Sequence, residues 1–181
     1  MIKRVFGIAI MLGLAASTPV SGAKTQQEGS VRNYGFTESI RKKLATLPYY
    51  GVFDNLAFEL NGNTVVLSGQ VIRPTTRKEA ERRIARMEGV DRVINKIEVL
   101  PPSSFDDSIR RRVYNAVFRT GGLHRYAMGA NPSIHIVVNR GRVTLEGVVS
   151  NKMDSQLAYM AANGVPGVFS VTNNLRVGSE G

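Results

Sequence analysis

Apolar residues along this chain follow two rhythms that alternate and then begin again. Phe36, Ile40, Leu44 and Leu47 recur at the spacing of one helical face. Leu56, Phe58 and Leu60, and then Val65, Leu67 and Val71, alternate with other residues as half-buried strands do, and Asn61-Gly62 between them signals a tight hairpin. Pro74 suits a first helical turn and opens a stretch whose stripe is Ala80, Ile84 and Met87, closed by Gly89 as a C-terminal cap. Val93, Ile97 and Val99 supply a last strand. The same order returns with the helical stripe Phe105, Ile109, Val113 and Val117, two strands within Ile134 to Val149, and the stripe Met153, Leu157, Met160 and Ala161 ending near Gly164. Val171, Leu175 and Val177 complete it.

The recurrence extends to the residues themselves. GVDRVINKIEVL, from Gly89, comes back as GVFSVTNNLRVG, from Gly167, at an offset of 78 residues that holds back through Leu56 and Ile134. Upstream the offset drops to 69, pairing Phe36, Ser39, Ile40 and Arg41 with Phe105, Ser108, Ile109 and Arg110, so the second copy carries nine extra residues in between. Within each copy a helix separates the second and third strands, and a right-handed crossover makes those two parallel while the hairpin is antiparallel. The expectation is an α+β chain of two tandem αββαβ domains, each a small mixed three-stranded sheet with two helices on one face. Their bounds are 36–100 and 105–178, joined by a short, stiff linker over 101–104 that contains Pro101-Pro102-Ser103. Units this small bury a modest core, so contact between the copies adds to the stability of both.

The N-terminus changes the picture of where the chain works. Lys3 and Arg4 precede an apolar run from Val5 to Ala16, too short to span a bilayer, and Ser21-Gly22-Ala23 offers small residues for a peptidase. This reads as a signal peptide over 1–23 cleaved after Ala23, with Ser17 as the alternative, then a flexible leader over 24–35 and a periplasmic mature chain. Cysteine is absent, which excludes disulfides, thiolate metal sites and a lipid-bearing Cys. The formal net charge is +10, or +8 once Lys3 and Arg4 are removed, so the partners to expect are anionic. Outside the cytoplasm these are phospholipid head groups or acidic envelope components, and nucleic acid is set aside.

Catalytic chemistry has little to rest on. His124 and His135 lack the spacing of co-ligands, and the plain reading of His135 is a strand residue facing away from Ile134 and Ile136. Asp106-Asp107 sits at a helix start, where carboxylates complement the helix dipole, and Ser104 with Asp107 resembles a capping box. Asn95 and Asn173 share strand parity with core residues and are read as inward amides that hold backbone partners rather than ligands. Gly69 and Gly147 mark a strand bend or a close helix contact. No nucleotide, zinc or nucleophile-elbow motif is present, so no enzyme, cofactor or metal is expected.

The strings NGNTVVLSGQV and NRGRVTLEGVV, each followed by a helix and then by the GV…V…N…V strand, resemble the BON domain, named for bacterial OsmY and nodulation proteins. Nearly all of the chain beyond the leader is covered. The resemblance implies a non-catalytic module of exported proteins that contacts phospholipid membranes, with links to envelope integrity and osmotic stress. The extra loop and Asn163-Gly164-Val165-Pro166 depart from the family's pattern in the second copy.

For such a role the basic clusters are the candidates. Arg110, Arg111 and Arg112, with Arg119, and the loop residues Leu123, Arg125, Tyr126 and Met128 form the expected lipid-binding set; Arg41, Lys42 and Lys43 form a secondary basic surface. The plain alternatives are a solvated helix face for the cations and, for the loop, packing onto its own domain. A protein-interaction module docking an envelope partner through a sheet edge is the rival function.

Overall fold

The computed structural model describes residues 22–129 and 131–178. Apart from Gly22 and Ala23, the segment expected to be a signal peptide lies outside them. Four helices and seven strands follow in the order α1 (Gly22–Ala45), β1 (Asn55–Asn61), β2 (Thr64–Val71), α2 (Pro74–Ala85), β3 (Arg92–Asn95), β4 (Glu98–Val99), α3 (Ser104–Phe118), β5 (Ile134–Asn139), β6 (Arg142–Val149), α4 (Lys152–Asn163) and β7 (Ser170–Val177). The chain divides into one unit up to Phe36 and another from Thr37 onward. Residues 24–35, expected as a flexible leader, are instead helical, as part of α1. Lys, Gln and Glu in this stretch favour a helix, and Gly29 and Gly35 do not break it.

Each repeat builds the expected mixed sheet. β1 pairs antiparallel with β2, and β2 runs parallel to β3 and β4; β5, β6 and β7 repeat that order. In the second domain Ile109, Val113 and Val117 of α3 and Ala158 and Ala162 of α4 meet Ile134, Ile136, Val138, Val143 and Leu145 in one core. Both helices therefore cover the same face. The first domain has the same plan, with Ile40, Leu44, Val65, Leu67, Ala80 and Ile84 buried.

The third strand is where the two inward asparagines act. Asn95 accepts from the Ile97 amide at 3.1 Å and donates to the Arg77 carbonyl at 3.3 Å and the Glu81 carboxylate at 2.9 Å. The local turn around Lys96 splits the strand into β3 and β4. Asn173 does the same work on an unbroken β7, accepting from Leu175 N–H at 3.2 Å and donating to the carbonyl and hydroxyl of Ser155 at 3.2 and 2.9 Å. Each amide ties strand to helix; Asn95 is part-buried, whereas Asn173 is exposed and lies less far inward than its strand parity predicts.

Three local expectations need correction. Gly69 and Gly147 face no helix. Both have positive φ, +110° and +121°, and a Cβ there would lie 2.2 Å from the Asn55 carbonyl oxygen and 2.0 Å from that of Ser133, so the neighbouring chain passes where a side chain would be. The first hairpin turns on Gly62-Asn63, one residue later than expected, with Asn61 paired to Thr64. In α4 the buried positions are Asp154, Ser155, Ala158 and Ala162, while Met153 and Met160 are exposed: the small residues let the helix approach the sheet, which rotates the methionines outward.

The two repeats also meet. The segment Tyr50–Asp54 of the first domain straddles β5, an edge strand of the second sheet: Ile136 N–H donates to the Val52 carbonyl at 2.7 Å, Tyr50 lies against His135 with ring centroids 5.3 Å apart, and Phe53 lies edge-on to Tyr114 at 6.2 Å. Tyr50 and Gly51 cover His135, which the pleat alone would leave on the outer face; Val137, of the same parity, is buried too. Asp54, buried beneath the segment, accepts from Gly51 N–H at 3.1 Å and Ile72 N–H at 2.7 Å.

Burial pushes the His135 imidazole below its ordinary value of 6.5, against the opposing pull of Gly51, Asp54 and Glu146, and raises the Asp54 carboxyl above 3.8. A depressed histidine contributes stability that is present above 6.5 and lost as pH falls through its lowered value. The raised carboxyl runs the other way: its contribution is full below 3.8 and lost as pH rises through its raised value. Urea titrations should therefore show the chain losing stability as pH drops below 6.5, and His135→Gln should lose less over the same interval. Equal losses would remove His135 from the account.

Candidate functional site

The second domain carries an exposed aromatic pair at one end of α3. Phe105, expected in the core stripe, begins the helix half-exposed, and Phe169, at the entry to β7, is 76% exposed; their ring centroids are 6.5 Å apart. The geometry comes from three segments. Ser103, not Ser104, caps α3, accepting from Asp106 N–H at 3.2 Å. That leaves the Asp106 carboxylate free to accept from Arg140 N–H at 2.9 Å and Gly141 N–H at 2.8 Å, pinning the β5–β6 turn to the helix start. Phe169 N–H then donates to the Gly141 carbonyl at 2.9 Å, and the Phe169 ring lies over Gly141, where an added Cβ would come within 2.4 Å of it.

One cation sits beside this pair, and three more are exposed on the neighbouring elements. The Arg112 guanidinium reaches Gly167, within 3.4 Å of where a Cβ would stand, beside the Phe105 ring. Arg140 and Arg142 are exposed on the adjoining turn, and Arg111 is exposed on α3. The first domain has nothing comparable. At the positions of Gly141 and Phe169 it holds Asn63 and Asp91, which hydrogen bond to each other at 3.0 Å.

The residues expected to bind lipid do not assemble into one surface. Arg110 is buried, donating to the Val138 carbonyl at 2.7 Å and pairing with Asp107. Its position on α3 points it at β5, so it cannot face a membrane. Leu123 is fully buried, and Tyr126 is buried with its hydroxyl donating to the Asp154 carboxylate at 2.6 Å and accepting from Ser150 N–H at 2.8 Å. Arg125 pairs with Asp154 and stacks over the Tyr126 ring at 4.7 Å. The loop thus folds onto its own domain, anchored at the start of α4. Met128 and Arg119 are exposed but lie beyond the far end of α3, about 20 Å from Phe105 at the rise of a helix. Arg111 and Arg112 remain as exposed candidates close to the aromatic end.

On the first domain Arg41, Lys42 and Lys43 are exposed, with Arg41 paired to Glu38. Among the described residues no group of three His, Cys, Asp or Glu side chains is placed to hold a metal ion, and no helix is long and apolar enough to cross a membrane.

The duplicated sheet, the paired glycines and the strand-to-helix asparagines identify two copies of one module, and the BON domain family model matches the chain twice, over residues 37–101 and 105–179. The chain belongs to the BON domain family. BON domains are non-catalytic binding modules. No curated protein matches the chain. Among solved structures, it is similar at low level to the C-terminal domain of CdsD, the structural protein of the type III secretion system of Chlamydia trachomatis, with 9% identity, a TM-score of 0.32, and coverage of 75% of this chain and 96% of that one. A second CdsD structure gives 10% identity, a TM-score of 0.31, and coverage of 78% and 94%.

Sequence reasoning missed Phe169 because it sits in the glycine-flanked approach to β7, outside any periodic stripe. The signal was nonetheless present: at the repeat offset a phenylalanine replaces Asp91, a polar-to-aromatic exchange at a surface turn.

Proposed function

We propose that the second BON domain docks on anionic phospholipid surfaces of the cell envelope with the Phe105–Phe169 edge inserted and Arg111, Arg112, Arg140 and Arg142 at the head-group level. The observation that carries this reading is the Phe105–Phe169 pair, with Phe169 largely exposed and Arg112 beside Phe105. Cations near a charged leaflet each contribute about 1 kcal/mol, which falls with salt, so arginines alone hold weakly. Two aromatic side chains add a salt-independent part by leaving water for the interface. An exported mature chain beginning after Ala23, working in the periplasm as a non-enzymatic envelope or osmotic-stress protein, belongs to the same proposal. The match to the family and the surplus of positive charge support it.

The test is sedimentation with phosphatidylglycerol-containing and pure phosphatidylcholine vesicles. Binding should favour the anionic vesicles and weaken, without vanishing, as salt rises. Equal recovery with both vesicle types at low salt would reject the proposal.

A further inference from the structure

The two repeats differ in what lies along the outer edge of the first hairpin strand. In the second domain that edge is covered by the chain itself: Val52 takes the Ile136 amide, Phe53 packs on Tyr114, and Arg110 takes the Val138 carbonyl. At the repeat offsets the first domain has Phe58, Ala45, Arg41 and Leu60 in place of Ile136, Tyr114, Arg110 and Val138. A half-open groove of about 480 Å³ lies there, bordered by Arg41, Leu44, Tyr50, Phe58 and Leu60, with Arg176 of β7 on its rim. We propose that this groove is a docking site for an extended segment of a partner protein that carries alternating apolar residues and a carboxylate.

Three features fit that occupant. First, β1 is an edge strand, and the two-residue hairpin that pairs Asn61 with Thr64 turns the amide groups of Leu56, Phe58 and Leu60 away from β2. Leu56 faces the Tyr50 hydroxyl; the Phe58 and Leu60 groups meet no backbone partner among the described residues. A strand edge of this kind is satisfied by another backbone, which an acyl chain does not offer. Second, Ala45 in place of Tyr114 widens the groove, and Leu44, Phe58 and Leu60 give it an apolar wall for every other residue of an added strand. Third, Arg41 keeps its side chain outside, 61% exposed, rather than turning it onto the strand as Arg110 does; its present partner is Glu38, an exposed ion pair of the weak surface kind that a partner's carboxylate exchanges with, and Arg176 adds a second guanidinium on the rim. The chain's own segment on β5, with the Val52 carbonyl on the Ile136 amide and Phe53 packed on Tyr114, is a working example of backbone and apolar side chains on the equivalent edge of the other repeat.

The experiment is selection of a displayed random nonapeptide library on the full chain, followed by amide NMR with the enriched peptides. Enriched sequences should alternate apolar residues and carry Asp or Glu, shift and protect the Phe58 and Leu60 amides, and bind about tenfold more weakly to Arg41→Gln/Arg176→Gln. Both arginines are exposed, so the variant should keep its fold. Any of four results would overturn the proposal: no enrichment, equal binding to the variant, perturbation confined to β3 or β7, or protection of Phe58 that grows with the concentration of the chain alone. Protection of the same amides by phosphatidylglycerol vesicles but by no peptide would also overturn it. The vesicle experiment on the second domain is independent, since its aromatic edge shares no residue with this groove.

Discussion

Gly147→Val is expected to unfold the second domain at temperatures where the parent chain is stable. The position has φ of +121°, which a β-branched residue adopts only with strain, and any Cβ would stand 2.0 Å from the Ser133 carbonyl oxygen. Backbone is the obstacle, not a flexible side chain, so relief requires moving the start of β5 away from β6. Strain and collision together should cost about 3 kcal/mol or more, a large share of the stability of a small domain. Urea denaturation followed by circular dichroism measures it. Gly69→Val should act likewise in the first domain, where the distance is 2.2 Å, whereas Gly62→Ala, which meets nothing within 4 Å, should pay only for its φ of +59°.

Arg110→Glu is expected to damage the fold, while Arg111→Glu/Arg112→Glu should spare the fold and reduce binding to anionic vesicles. Arg110 is 4% exposed and holds the Val138 carbonyl, and a glutamate there would bury a carboxylate against that carbonyl and close to the exposed Asp107. A buried charge left without a compensating partner costs about 3–5 kcal/mol. Its neighbours are exposed, so reversing them disturbs no core residue. A thermal melt and a vesicle-binding curve on both variants separate the two roles. An Arg110→Glu protein that melts like the parent would show that the buried arginine is not structural.

The architecture was readable because it was written twice. The alternation of Leu56 to Val71, its echo from Ile134 to Val149, and the returning GV…V…N…V strand fixed order, pairing and the inward role of Asn95 and Asn173. What the chain could not show was whatever depends on a third body. His135 has outward strand parity, yet the first domain covers it through Tyr50 and Gly51, in a segment without periodicity. The candidate site failed for a related reason. Arg110, Arg111 and Arg112 are consecutive, so the 100° step of a helix must send one of them inward, and only the position of β5 decides which. The inserted loop looked amphipathic because Leu123 and Tyr126 serve a core and a buried carboxylate, a demand set by Asp154 some thirty residues later.

The most direct test of the central claim, that the second domain enters anionic membranes by its aromatic edge, uses a chain without tryptophan. Phe169→Trp introduces a single reporter at the exposed position. Its emission should shift to the blue with phosphatidylglycerol vesicles, stay unshifted with phosphatidylcholine, and be quenched by brominated acyl chains. Binding to anionic vesicles with no shift and no quenching at position 169 would contradict the account.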